Sequence, residues 1–129
     1  MLVEDFDPAR HLAAVVAMCA AEGWPNWADP ERAARAATAP GTIALVALDD
    51  EGEVTGFAHV LTDGAISAFL DLLVTAAEHR RRGVARALVA EAFVRCGVKR
   101  MDLLADDAAT AFYESMPHRA LPGYRIYTP

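Results

Sequence analysis

Three β-rich segments follow one another in the middle of the chain, and their spacing constrains the fold more than any other feature. They read "TIALVAL" (42–48), "VTGFAHVL" (54–61) and "ISAFLDLLVT" (66–75), with the turn sequences "DDEGE" and "TDG" between them. Short β-rich runs separated by such turns predict a hairpin followed by a third strand. The third segment is mostly apolar, so we expect neighbouring elements to cover both of its faces.

Helix signals stand on both sides of these strands. Asp7-Pro8 and Asp29-Pro30 each combine a capping carboxylate with a proline suited to the first helical turn. Further along, apolar residues recur at helical spacing up to Gly97, a residue type that commonly ends helices. These signals predict helices over about 8–22, 30–37 and 84–96.

The last part of the chain is expected to complete the sheet. "KRMDLLA" (99–105) predicts a short strand, Asp106 or Asp107 is placed to cap a last helix, and "LPGYRIYTP" (121–129) predicts a terminal strand. The resulting order is β-α-α-β-β-β-α-β-α-β. It predicts a single α/β domain over 1–129, with a mixed β-sheet flanked by helices.

Composition and charge exclude several classes of function. The net charge of −6 argues against a general nucleic-acid binder, and no apolar run reaches the ~18 residues of a membrane span. The acidic N-terminus lacks the features of a signal peptide, and Cys19 and Cys96 lie in no CxxC motif. We therefore expect a cytoplasmic protein with free thiols and no membrane partner. No histidine has a ligand spacing with Cys, Asp or Glu, so we predict no metal.

Three consecutive arginines, Arg80, Arg81 and Arg82, precede the helix predicted to begin at Gly83-Val84. A helix N-terminus carries partial positive charge and unpaired N–H groups, so cations are unfavourable there unless an anion binds. Gly83 has no side chain and Ala85 has only a methyl group, so a ligand can approach the backbone closely. A bound diphosphate would explain the cluster. A solvated basic turn, screened by salt and by Glu78, explains it equally well from this stretch alone.

The stretch "RRRGVA" resembles the Arg/Gln-x-x-Gly-x-Gly/Ala signature of the GCN5-related N-acetyltransferase (GNAT) superfamily. "DDAATAFYESM" resembles the family's Asn-x-x-Ala-x-x-x-Tyr helix, with Asp106 at the Asn position. The likeness covers nearly the whole chain in element order, but it is specific in residues only at 70–88 and 106–116. The usual Gly-Phe after the last helix is replaced by Pro117-His118.

This resemblance implies acetyl-CoA as co-substrate. It implies that the arginine loop binds the pyrophosphate through backbone N–H groups, that the last helix flanks the pantetheine arm, and that the third predicted segment holds the thioester carbonyl at a β-bulge. The cofactor-binding residues so implied are Leu73, Val74, Arg80, Arg81, Arg82, Gly83, Val84, Ala85, Asp106 and Ala109.

Two ionisable residues are candidates for catalysis. Tyr113 matches the tyrosine that the family often uses as a general acid, and a phenol can protonate the thiolate that leaves the thioester. The alternative is that Tyr113 packs in the core. Asp71 is a charge inside an apolar strand, so it lies at a cleft or has a partner. There it could take a proton from the substrate amine or bind its cation, as an acidic residue does in some family members; a structural salt bridge to an arginine is the alternative.

Aromatic residues are candidates for binding the second substrate. Trp24 and Trp27 lie in the loop that borders the acceptor site in the family, although we expect at least one of them to close the core as a hydrophobic plug. His59 is interpreted as structural. We therefore expect acetyl transfer from acetyl-CoA to a primary amine by direct attack in a ternary complex. A non-catalytic GNAT-like module that binds acyl-CoA or a protein is the alternative, and "YRIY" offers an edge for a homodimer.

Overall fold

The computed structural model describes all of residues 1–129. Local sequence signals fix most of its elements: Asp7 and Asp29 cap the first two helices through their side chains, and Gly97 ends the third in a left-handed conformation. In chain order the elements are β1 (Leu2–Asp5), α1 (Pro8–Ala21), α2 (Pro30–Ala37), β2 (Thr42–Leu48), β3 (Val54–Thr62), β4 (Ala68–Thr75), α3 (Val84–Cys96) and α4 (Thr110–Glu114), with 3₁₀ turns at Ala77–His79 and Asp107–Ala109.

The four strands form one antiparallel sheet in the order β1-β2-β3-β4. Helix α3 packs on one face, against alternate residues of β2 and β3 such as Leu45 and Ala58. Helices α1 and α2 cover the other face, where Val46 and Phe57 point. Both faces of the central strands are therefore buried, which accounts for their nearly continuous apolar sequences. None of the helices is long and apolar enough to span a bilayer.

A β-bulge in β4 divides that strand into two parts. His59 and Val60, which are consecutive in β3, pair with Leu72 and Leu70, so Asp71 is the extra residue. The insertion reverses which side chains face which helix layer: Leu70 belongs to the core under α3, whereas Leu72 belongs to the core under α1 and α2. The bulge also leaves the Asp71 side chain exposed within an otherwise apolar strand.

Several expectations for the second half of the chain are wrong. The expectation that β4 is covered on both faces is confirmed, since Leu70 belongs to the core under α3 and Leu72 to the core under α1 and α2, but the following expectations are not. The segment 99–105 contributes only one parallel bridge, between Phe69 and Asp102, so the mixed sheet is reduced to an antiparallel sheet with this single parallel contact. The side chain of Asp106 makes no capping hydrogen bond.

The terminal segment forms no strand. Residues 117–129 have no regular secondary structure and are exposed throughout. The strand over 99–105, which was expected to precede this segment in the sheet, is itself reduced to a bridge. Leu121, Tyr124 and Ile126 consequently remain exposed to solvent.

Candidate active site

A cavity of about 560 Å³ opens beside the free edge of β4. The outer edge of β4 is bonded to residue 102 only near Leu70, so the backbone beyond the bulge is left without a strand partner. The walls come from the end of α1, the second half of β4, the arginine loop with the first turn of α3, and the segment that leads into α4. The predicted site residues that line it are Trp24, Leu73, Val74, Arg80, Arg81, Gly83, Val84, Ala85, Asp106, Ala109 and Tyr113.

The first turn of α3 presents unpaired backbone N–H groups to this cavity. Gly83 is the N-cap with φ of 81°, and no side chain caps the helix. The first N–H groups of a helix have no partner within it, and together with the helix dipole they favour an anion. Arg81 has a φ of 64° and is the one non-glycine residue in the left-handed region. Such strain is rare and clusters at binding sites.

The arginines around this helix start differ in their surroundings. Arg80 forms an ion pair with Glu22, and both residues line the cavity. Arg86 also lines it; its guanidinium bonds the Oγ of Ser115 at 2.7 Å and lies 5.9 Å from the ring centroid of Phe112. Arg86 was not among the predicted site residues, although it lies in the first turn of a helix whose N-terminus was predicted to bind an anion. Arg82 is exposed and does not line the cavity.

Tyr113 lies in α4 and lines the cavity. Its ring packs edge-on against Phe112 with centroids 5.0 Å apart, and both rings line the cavity while contacting the core under α3. Desolvation, and secondarily the negative charge of Asp106, raise the pKa of the Tyr113 phenol. A phenol with a raised pKa stays protonated at neutral pH, which is the state a general acid requires.

Asp71 and the two tryptophans occupy the sheet face covered by α1 and α2. Asp71 does not line the cavity; its Oδ2 lies 3.0 Å from Nδ1 of His59, so its partner is a histidine rather than an arginine. Trp27 packs on Phe57 and His59, with ring centroids 5.6 and 5.0 Å apart, and so acts as the hydrophobic plug. Trp24 lines the cavity and remains a candidate for substrate contact.

Residues 40–116 match the family model of the acetyltransferase (GNAT) domain, which is more than half of the chain. The protein belongs to the GNAT superfamily. This assignment confirms the resemblance inferred from the arginine loop and the α4 segment. No curated protein matches the sequence.

Solved GNAT structures share the fold of this chain at low sequence identity. A candidate acetyltransferase from Deinococcus radiodurans R1 is 26% identical, with a TM-score of 0.76 over 96% of this chain and 87% of that one. A ribosomal-protein-alanine N-acetyltransferase from Brucella melitensis biovar Abortus 2308 is 18% identical, with a TM-score of 0.77 over 99% and 100% of the two chains. An aminoglycoside 6′-N-acetyltransferase complexed with coenzyme A is 20% identical, with a TM-score of 0.65 over 80% and 61%.

Membership in the GNAT superfamily gives the cavity a chemical context. The family uses acyl-CoA, an anionic thioester, and the cavity of this GNAT protein combines an uncapped helix N-terminus with Arg80, Arg81 and Arg86. The phosphates of such a substrate match these donors in charge and geometry. No cluster of His, Cys, Asp or Glu side chains is arranged to hold a metal ion.

Proposed function

We propose that this GNAT protein transfers an acetyl group from acetyl-CoA to a primary amine by direct attack in a ternary complex. The observation that carries the proposal is the single cavity that joins the uncapped N-terminus of α3 to Tyr113. The helix N-terminus can bind a diphosphate, and Tyr113 can supply a proton. Relatives named as aminoglycoside and ribosomal-protein-alanine N-acetyltransferases make an amine the natural acceptor class.

Binding of acetyl-CoA is assigned to the backbone as much as to side chains. The N–H groups of residues 81–85 take the pyrophosphate, and Arg80 and Arg81 add charge-assisted hydrogen bonds. Asp106 and Ala109 flank the pantetheine arm. At the free edge of β4, around Leu73 and Val74, the N–H group of Leu73 points away from β3 and is offered to the thioester carbonyl, where negative charge develops in the transition state. Arg82 contributes only from outside the cavity.

The chemical step needs three proton transfers. The amine loses a proton to Asp71 or to water and attacks the carbonyl carbon, so that a C–N bond forms as the C–S bond breaks. Tyr113 donates its phenolic proton to the departing thiolate, and the second amine proton restores the phenol through solvent. Cys19 and Cys96 are buried, and burial raises the pKa of both thiols, so neither is suited to carry the acetyl group.

A thermal-shift titration combined with a thiol-release assay tests this function. Coenzyme A at 100 times its dissociation constant should stabilise the fold by about 2.7 kcal/mol. Acetyl-CoA incubated with a panel of amines should release free thiol with at least one of them. Stabilisation without turnover on any amine would favour the non-catalytic binding module, and no stabilisation at millimolar coenzyme A would reject both functions.

Gly83→Glu locates the pyrophosphate within the cavity. A carboxylate at the N-cap of α3 would repel the phosphates, so we expect binding of coenzyme A to be lost while circular dichroism still reports a folded protein. Gly52→Glu is a matched control, because both glycines have φ of +81° and neither would place a Cβ within 4 Å of another group. Gly52 lies in the β2–β3 turn, so this control should bind normally. Normal binding by Gly83→Glu would mean that the pyrophosphate lies elsewhere.

A further inference from the structure

His59 is a buried polar side chain in the middle of an apolar sheet. It is 3% exposed, and both of its ring nitrogens have partners. Nδ1 lies 3.0 Å from Oδ2 of Asp71, and Nε2 lies 2.9 Å from the carbonyl oxygen of Ala36 near the end of α2. The ring of Trp27 packs edge-on against it at 5.0 Å between centroids. The imidazole is therefore fixed from three sides.

The partners of the ring determine its protonation. A carbonyl oxygen only accepts hydrogen bonds, so Nε2 must donate to Ala36. Nδ1 then faces the carboxyl group of Asp71, so one proton must lie between Nδ1 and Oδ2. With that proton on the ring, the contact is an imidazolium paired with the Asp71 carboxylate. His11, the other buried histidine, differs: its Nδ1 accepts from the N–H of Asp7 at 2.9 Å, which requires a neutral ring.

Asp71 is the charged group that pairs with the His59 ring. The neighbouring charged residues lie on α2 and its start: Arg32 bonds Asn26 and pairs with Asp29, and neither Glu31 nor Arg35 forms an ion pair. β2 places Ala44 opposite His59, and β4 contributes Leu72 beside Asp71. The His59 ring therefore has one charged partner, the carboxylate of Asp71.

This pairing leaves one oxygen of Asp71 available. Its Oδ2 is taken by His59, whereas Oδ1 has no hydrogen-bond partner in the protein and the side chain is 36% exposed. Asp71 precedes Leu73 by two residues, which corresponds to about 6.6 Å along a strand, and Leu73 lines the cavity. The bulge displaces the carboxylate toward solvent, and the His59 bond fixes its direction.

We propose that His59 is a positioning residue of the transfer reaction. Anchored by the Ala36 carbonyl, its imidazolium holds Oδ2 of Asp71 so that the free Oδ1 receives an N–H of the acceptor amine. This inference rests on the proposed function, in which Asp71 meets that amine. The imidazolium also offsets the negative charge of Asp71, so the pair orients the amine through a hydrogen bond rather than as an isolated anion.

A double-mutant cycle with His59→Leu and Asp71→Asn tests this role. We expect His59→Leu to lower kcat by about 10- to 100-fold through misplacement of Asp71, with unchanged affinity for coenzyme A. In the Asp71→Asn background the same substitution should cause no further fall. His59→Asn keeps an amide donor near the position of Nδ1 and should recover part of the loss. Independent effects that multiply in the double variant would overturn the positioning role.

A second buried histidine controls for simple destabilisation. His11 is 2% exposed, lies at the start of α1 and has no contact with Asp71. His11→Leu should lower the melting temperature but leave kcat unchanged at a temperature where the protein is folded. An equal loss of turnover in His11→Leu would assign the His59 effect to stability and overturn the proposal.

Ring nitrogen NMR tests the pairing without any substrate. The Nδ1 signal of His59 should report a hydrogen bond to Asp71, and Asp71→Asn should alter this signal while Nε2 stays bonded to the carbonyl of Ala36. An Nδ1 without a hydrogen bond in the wild-type protein would overturn the inference even if the enzyme turns over amines. Absence of turnover with every amine, together with an intact bond from Nδ1 to Asp71, would instead reject the proposed function and with it the positioning role.

Discussion

At the scale of single residues, Tyr113 is the proposed general acid, and the environment of its phenol bears on that role. Its phenol is half-buried beside Asp106, and desolvation raises its pKa, so the phenol carries its proton at neutral pH. A thiolate is a weaker base than this phenolate, so donation has to be coupled to cleavage of the C–S bond and to return of an amine proton to the phenol. The environment of Tyr113 therefore favours proton donation rather than nucleophilic attack.

Tyr113→Phe removes only this proton donor. The ring can still pack against Phe112, so affinity for coenzyme A and the melting temperature should hardly change. Turnover should fall by ~10²-fold or more, in kcat rather than KM, because the proton is needed only in the transition state. Steady-state thiol release measures both constants. Tyr124→Phe, in the exposed tail, is the matched control, and unchanged kcat in Tyr113→Phe would make Tyr113 a packing residue.

At the scale of elements, one glycine sets how closely α3 approaches the sheet. A Cβ at Gly56 in β3 would lie 2.6 Å from Cγ1 of Val84, 3.0 Å from Cδ1 of Leu88 and 3.1 Å from the carbonyl oxygen of Val74. Val84 is the first residue of α3. The absence of a side chain at Gly56 therefore places the helix N-terminus against β3 and beside the second half of β4.

Gly56→Ala should consequently affect both stability and binding. Overpacking in a core typically costs about 1–3 kcal/mol, and relief of the contact with Val84 would lift the start of α3 away from the sheet. We expect a lower melting temperature and weaker binding of coenzyme A, measured by calorimetry. Gly64→Ala is the comparison, since Gly64 has open space and φ of +71° in the β3–β4 turn. It should lose some stability but keep its affinity; equal affinity in both variants would contradict this account.

The elements also show how far the sequence determines the structure. The bounds of α1, α2 and β2 follow from caps, prolines and periodicity, which are local signals, and they are confirmed. The strand over 99–105 and the terminal strand are wrong, because strand formation there depends on a partner edge that local sequence does not reveal. The bulge at Asp71 depends on the register between β3 and β4, and register is set by the whole sheet.

In the candidate site, too, some features could be predicted from local sequence and others depend on the register of the sheet. The arginine loop and Tyr113 were identified from motifs and meet in one cavity, whereas the His59–Asp71 pair joins residues 12 positions apart across two strands. Each residue could be noticed as a polar side chain in an apolar strand, since an unpaired buried charge is costly. Only the register between β3 and β4 shows that the two side chains meet. Each then provides a hydrogen-bond partner that offsets the cost of removing the other from water.

At the scale of the whole molecule, two buried thiols with raised pKa values make the stability of the fold sensitive to high pH. Burial, and secondarily the charge of Glu22, raise the pKa of the Cys19 thiol from 9.0 to about 11, and burial also raises the pKa of Cys96. Cys19 lies in the core under α1 and α2 and is fully buried. Because the folded pKa exceeds the unfolded one, this contribution is fully present below pH 9 and is lost as pH rises toward 11.

Urea unfolding at pH 7 and at pH 11 measures this loss. A two-unit difference corresponds to at most about 2.7 kcal/mol, so the free energy of unfolding should fall by about 2 kcal/mol through Cys19 alone. Cys19→Ala should be less stable than the wild type at pH 7, because it leaves a small cavity, but its stability should decline less at high pH. Exposed groups titrate equally in both proteins, so the difference between the two declines isolates the thiol. If the free energy of unfolding falls equally in the wild type and in Cys19→Ala, the pKa of Cys19 is the same in the folded and unfolded chains, and this account is wrong.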